Sequence, residues 1–157
     1  MNISPLPKGT QAVVPYLVMH DCAQAIEFYK KVFAAQEVMR MASPDKKKIH
    51  HAELHIAGCM VYMADECPES KMRSPKNLGG TTMGLTIYCL DADKVFNRAV
   101  KQGCKVVKAM ENQFWGDRMG TVTDPFGHVW TLMQRIEELT PQQMMERSKQ
   151  AMMAGKS

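Results

Sequence analysis

Three side chains able to bind a metal or move a proton sit at alternate positions in His51-Ala52-Glu53-Leu54-His55-Ile56. A strand repeats every two residues, so His51, Glu53 and His55 share one face and Ala52, Leu54 and Ile56 the other. The apolar face should pack on helices, which leaves the His/Glu/His face pointing away from them. Neighbours in such a row stand about 7 Å apart, so His51 and Glu53 can share a divalent ion, whereas one strand cannot easily deliver all three donors. Two readings stay open. One is a polar wall in which Glu53 hydrogen-bonds to its neighbours; the other is a metal site at His51, Glu53 and His55 taking Zn, Mn, Ni or Fe. His20, His50 and His128 each stand without a partner in sequence and read as structural.

Other catalytic templates fail. The chain has no GxSxG, no P-loop and no GxGxxG, so serine-hydrolase, P-loop and Rossmann chemistries lack support. Its five cysteines form no CxxC pair and are odd in number, which argues against a structural zinc site or a complete disulfide framework and for a reducing cytoplasm. Cys59 and Cys67 lie near the histidines only in sequence.

The 157 residues are 45% hydrophobic, enough for one domain or two small halves. A net charge of +4 with one dense basic run, Lys46-Lys47-Lys48, and no aromatic interleaving predicts neither nucleic-acid nor membrane binding. The opening MNISPLPKGT lacks an apolar h-region, and no later run approaches spanning length, so a soluble cytoplasmic protein is expected. The fifteen methionines form no tight cluster and read as core filling.

The elements that must position these groups recur in order. AVVPYLVMH (12–20) reads as a strand, Asp21 as an N-cap, and Ala25, Ile26, Tyr29, Val32 and Phe33 as the apolar stripe of a helix. A short strand around Glu37 to Met41 and a Ser-Pro-Asp turn lead into HHAELHIAGCMVYMAD, a hairpin broken at Ala57-Gly58. Residues 65–80 read as a linker. The order then restarts: strand Thr82 to Leu90, N-cap Asp91, helix to Gly103, short strand Lys105 to Lys108, and the hairpin around Asp124-Pro125-Phe126-Gly127. Asp91 lies 70 residues after Asp21 and Gly127 lies 69 after Gly58, so the chain reads as an internal duplication. The divisions are a first βαβββ module over 10–64, a linker over 65–80, a second module over 81–136, and a helix over 140–153. That last helix opens on a Thr140-Pro141-Gln142-Gln143 capping box, and its methionines are expected to dock on the body or on a partner subunit.

PYLVMHDCAQAIEFYKKVFAA and QFWGDRMGTVTDPFGHVW, set in two βαβββ halves, resemble the vicinal oxygen chelate superfamily of glyoxalases, bleomycin- and fosfomycin-resistance proteins and extradiol dioxygenases, in its PhnB-like branch. The resemblance covers about residues 10 to 136. Ala34 departs from it, since many relatives carry Gly there and a different helix end follows. It implies an α+β fold: two tandem modules whose curved mixed sheets surround a cavity, plus the C-terminal helix, commonly as a homodimer.

The resemblance also implies a divalent metal held by one His, Glu or Gln from the first and last strands of each half. The matching positions here are Val14, Tyr62, Gly84 or Met83, and Thr131, none a good ligand, so no cofactor is expected and glyoxalase or dioxygenase chemistry loses its centre. Trp115 and Arg118 fall where the family has a loop at the cavity rim; they stack on a ligand and meet an anion, or else plug the core and pair with a surface carboxylate. The expected function is binding of a small acidic or oxygen-rich molecule in a metal-free cavity, as in bleomycin-resistance proteins, through Tyr16, His51, Glu53, Tyr62, Trp115, Arg118 and Thr131. The rival is a metal-dependent lyase, isomerase or transferase at His51 and Glu53, and a third reading makes the C-terminal helix an interaction module.

Overall fold

A computed structural model describes residues 3–155. The chain folds as α+β with two four-stranded mixed sheets. In chain order the elements are β1 (Tyr16–Met19), α1 (Cys22–Phe33), β2 (Gln36–Ala42), β3 (Ile49–Ile56), β4 (Cys59–Asp65), a 3-10 turn (Pro68–Ser70), α2 (Pro75–Leu78), β5 (Gly84–Tyr88), α3 (Ala92–Lys101), β6 (Lys105–Asn112), β7 (Asp117–Thr123), β8 (Val129–Arg135) and α4 (Pro141–Met153). One sheet runs β1-β4-β3-β2 and the other β5-β8-β7-β6, each with its first strand parallel to its last.

Two compact units result: residues up to 83 with 125–128, and 84–124 with those from 129 on. In the first, Ala25, Ile26, Tyr29 and Val32 of α1 are buried with Leu17, Met19, Ala52, Leu54 and Met63 from the helix-facing side of the sheet. Buried Phe126 joins that core, edge-on to Phe28 and Tyr29 at 5.7 and 6.2 Å. In the second, Trp130, Leu132, Val122, Phe96 and Ala99 are buried, and the Trp130 indole donates to Asp124 at 2.9 Å. The Asp-Pro-Phe-Gly turn is therefore structural, with Phe126 buried in the first unit and Asp124 accepting from Trp130 in the second.

Both helices begin on the expected caps, with Asp21 accepting from the Gln24 amide and Asp91 from the Lys94 amide, each at 2.9 Å. The capping box of α4 forms between Thr140 and Gln143.

Several bounds differ from expectation. β1 starts only at Tyr16, because Pro15 has no N–H to give a ladder and contributes only its carbonyl, to the Tyr62 amide. Val14 thus lies before the strand. β6 runs on to Asn112 by pairing with β7 through two register shifts. The linker carries order of its own: a Cys67–Met72 bridge, the 3-10 turn and α2. No residue of α4 is buried, and Met145, Met152 and Met153 are 61%, 70% and 89% exposed, so these three do not dock on the body, while Met144 is half-buried. Among the described residues, no helix is long and apolar enough to cross a membrane.

Candidate functional site

β3 alternates as expected. Ala52, Leu54 and Ile56 are buried against the helix side, and His51, Glu53 and His55 stand half-buried on the opposite face. Strand register then decides what they meet. Glu53 lies opposite Tyr62 on β4, and Tyr62 lies opposite Tyr16 on β1. His51, two residues from Glu53, sits edge-on to the Tyr62 ring at 5.0 Å and near the Tyr16 ring at 5.9 Å.

Polar contacts string these groups together. The Tyr16 hydroxyl is 3.3 Å from His51 Nδ1, and His51 Nε2 is 3.4 Å from a Glu53 carboxylate oxygen. Burial, with the Cys22 thiol adding a smaller push, raises the Tyr16 phenol above its ordinary value, so the hydroxyl keeps its proton and can donate to Nδ1 or accept from it. A Glu53 carboxylate can only accept, which favours the imidazole proton on Nε2 and leaves Nδ1 to accept from Tyr16. The set is an oriented chain of donors and acceptors beside two aromatic faces, suited to gripping carbonyl, hydroxyl or carboxylate oxygens. His55 is outside it: its Nε2 meets the Gly9 carbonyl at 3.2 Å.

The second unit carries the matching row in different chemistry. Thr86 lies opposite Thr131, and Thr131 opposite Thr121, with the two hydroxyls of Thr121 and Thr131 at 3.1 Å. By register this row corresponds to Tyr16, Tyr62 and Glu53, and it has nothing that ionises. Arg118 forks onto both oxygens of Asp93 at 2.6 and 2.7 Å and also reaches Asn112 at 3.0 Å, so its charge is already matched. Trp115 occupies the β6–β7 turn, edge-on to Phe114 at 5.0 Å.

The positions that the resemblance implies hold an apolar side chain, hydroxyls and a glycine, and His51 with Glu53 gives only two donors. Among the described residues no group of three or more His, Cys, Asp or Glu is arranged to hold an ion.

Sequence reasoning missed two features of the first unit. Asp65 is buried, with its two oxygens accepting from the backbone N–H groups of Cys22 and Ile49, both at 2.7 Å. A charged residue ending an apolar strand was the available signal. The other is a groove of about 550 Å³ whose walls include Tyr16, Val18, Arg73, Thr82 and His128. Its linker residues are far from Tyr16 in sequence, and composition gave no sign of it.

Two βαβββ modules with each first strand parallel to its last, and a polar row on the face away from the helices, define the vicinal oxygen chelate architecture. The family model for the Glyoxalase/Bleomycin resistance protein/Dioxygenase superfamily matches residues 12–132, and the chain belongs to that superfamily. An uncharacterized protein of Mycobacterium bovis is 45% identical over 131 residues, 82% of this chain and 86% of that one. Among solved structures, TioX from Micromonospora is 24% identical with a TM-score of 0.61, over 83% of this chain and 100% of that one. A PhnB protein from Bacillus cereus is 18% identical with a TM-score of 0.63, over 79% and 99% of the two chains. These last two share the fold.

Proposed function

We propose that the chain binds a small, oxygen-rich organic molecule on the face formed by Tyr16, His51, Glu53 and Tyr62, and does so without a metal. The observation that carries this reading is the Tyr16–His51–Glu53 chain of contacts at 3.3 and 3.4 Å, standing beside Tyr62 where the superfamily's metal ligand would be. Groups satisfied by one another in this way are oriented before a ligand arrives, which lowers the ordering cost of binding. The second unit supports the same emphasis, since its row is threonine and its arginine is already paired with Asp93. All five cysteines are free thiols, in keeping with a reducing cytoplasm, where we expect the protein to work as a homodimer.

The test is elemental analysis of protein purified without chelator or affinity metal, then titration with Zn, Mn, Ni and Fe(II) read by thermal shift. Protein free of metal and unmoved by any of the four fits the reading. A stoichiometric metal that raises the melting temperature, and is lost in the double substitution of His51→Ala with Glu53→Ala, would replace it with the metal-dependent alternative at those two residues. That alternative rests on the 3.4 Å approach of His51 to Glu53 and needs further donors from outside this strand, because His55 is engaged by Gly9.

A further inference from the structure

The groove beside Tyr16 contains a charge that no carboxylate neutralises among the described residues. Among the described residues Arg73 is the one Lys, Arg, Asp or Glu in its wall. The guanidinium makes a single hydrogen bond, to the Asn77 carbonyl at 3.1 Å, and among the described residues no carboxylate pairs with it. Three of the other arginines are paired, Arg40 with Glu37, Arg118 with Asp93 and Arg147 with Glu137. The obvious local partner is occupied, for Glu66 accepts from the Ser74 amide at 2.6 Å and from the Asn77 side chain at 2.5 Å.

Arg73 is exposed, but the backbone on either side of it is anchored. Before it, Met72 closes a two-bond bridge with Cys67; after it, Ser74 and Pro75 are buried. A Cβ on Gly127 would fall 2.8 Å from the Pro75 ring, so the turn at 125–128 packs directly on this segment. His128, also buried, meets the Val18 carbonyl at 3.1 Å and fixes the opposite wall to β1. Val18, Leu78 and Met83 supply apolar surface.

We propose that this groove receives the oxyanion head, carboxylate or phosphonate, of a small organic anion, with Arg73 as its counter-charge. The proposal rests on the reading of the Tyr16 face as a ligand site and extends it: Tyr16 borders both, so one molecule can set its anionic end on Arg73 and its oxygen-bearing body toward Tyr16 and His51. An arginine whose neighbours are pinned gives a guanidinium fork ready for two parallel hydrogen bonds to such a head.

The experiment is amide-detected NMR titration of the full chain with benzoate, phenylphosphonate and neutral benzamide, repeated on Arg73→Gln, Arg73→Lys and His51→Ala. The expected result is saturable shifts at Gly79 to Met83 and at Tyr16 with one or both anions and not with benzamide. Arg73→Gln then weakens binding about tenfold or more, the effect of losing a charge-assisted hydrogen bond, and Arg73→Lys weakens it less. Which anion binds tighter identifies the head group. Equal binding of benzamide, unchanged affinity in Arg73→Gln, or no saturable shift with either anion would overturn the proposal. The two readings fail separately: anion binding that needs Arg73 but is indifferent to His51→Ala upholds the groove and removes the Tyr16–His51 face. Binding that needs His51 but not Arg73 does the reverse.

Discussion

Asp65 and Gln134, sixty-nine residues apart, perform the same task in the two halves of the chain. Asp65 accepts from the backbone N–H of Cys22, the first residue of α1, at 2.7 Å, and Gln134 accepts from the N–H of Ala92, the first residue of α3, at 3.1 Å. Each ties the end of the last strand of its half to the start of its helix. The repeat therefore survives in hydrogen bonds that no local pattern announces.

The two are not equal in cost. Asp65 holds a second buried N–H, that of Ile49, and replacing it by Ala strands two donors in the core. Asp65→Ala is expected to destabilise by about 3 kcal/mol, and Gln134→Ala by about 1 kcal/mol. Urea unfolding of the two variants checks the order; equal losses would mean that Asp65 does not carry both contacts in solution.

Much of this was legible because the signals were local. Asp21 and Asp91 precede apolar stripes at helical spacing, the period of two sorted His51 and Glu53 from Ala52 and Leu54, and the Thr140 capping box marked α4. What stayed hidden depends on partners far along the chain. That Tyr16 touches His51 follows from the parallel pairing of β1 with β4, a register no strand pattern specifies. Asp93, the partner of Arg118, lies on α3, and one turn of a helix decides whether it can be reached. Arg73 sits in a stretch whose Pro, Ser, Gly and alternating charge read as solvated linker, yet Ser74 and Pro75 beside it are buried.

Two alanines occupy backbone conformations that disfavour them. Ala34, ending α1, has φ of 54°, and Ala57, in the two-residue turn before Gly58, has φ of 50°. A left-handed conformation costs a residue with a Cβ about 1 kcal/mol, partly offset for glycine by its freer unfolded chain. Ala34→Gly and Ala57→Asn are both expected to stabilise by about 0.5 kcal/mol, the second because Asn-Gly suits a tight hairpin turn. A denaturation midpoint that moved down in either variant would contradict this.

Acid should weaken the first unit through Glu37. The Arg40 hydrogen bond, against a smaller opposing effect of burial and with help from Lys30, lowers the Glu37 carboxyl to about 2. A group lowered on folding stabilises fully above its unfolded value, near 4.3, and loses that contribution as pH falls towards the folded one. Because the ion-pair network is partly exposed, the contribution is about 1 kcal/mol. Stability should decline between roughly pH 4.5 and 2, and Glu37→Gln should flatten that part of the profile while lowering stability at neutral pH.

Thiol reactivity should divide the cysteines by environment. Cys22 is fully buried at the start of α1, where burial first, and the Asp65 carboxylate second, push its thiol up to about 12. Cys104 is 6% exposed and is likewise pushed up to about 12, by burial and then by Asp124. The thiolate is the nucleophile, so at pH 8 both are protected twice over, by access and by protonation. Cys59, which opens β4 after the exposed turn, is accessible. Iodoacetamide on native protein followed by peptide mass spectrometry should alkylate Cys59 first and leave Cys22 and Cys104 unmodified until denaturant is added. Early labelling of Cys22 would mean that the Asp65 contact at the start of α1 opens under native conditions, and in that case Asp65→Ala should accelerate the labelling further.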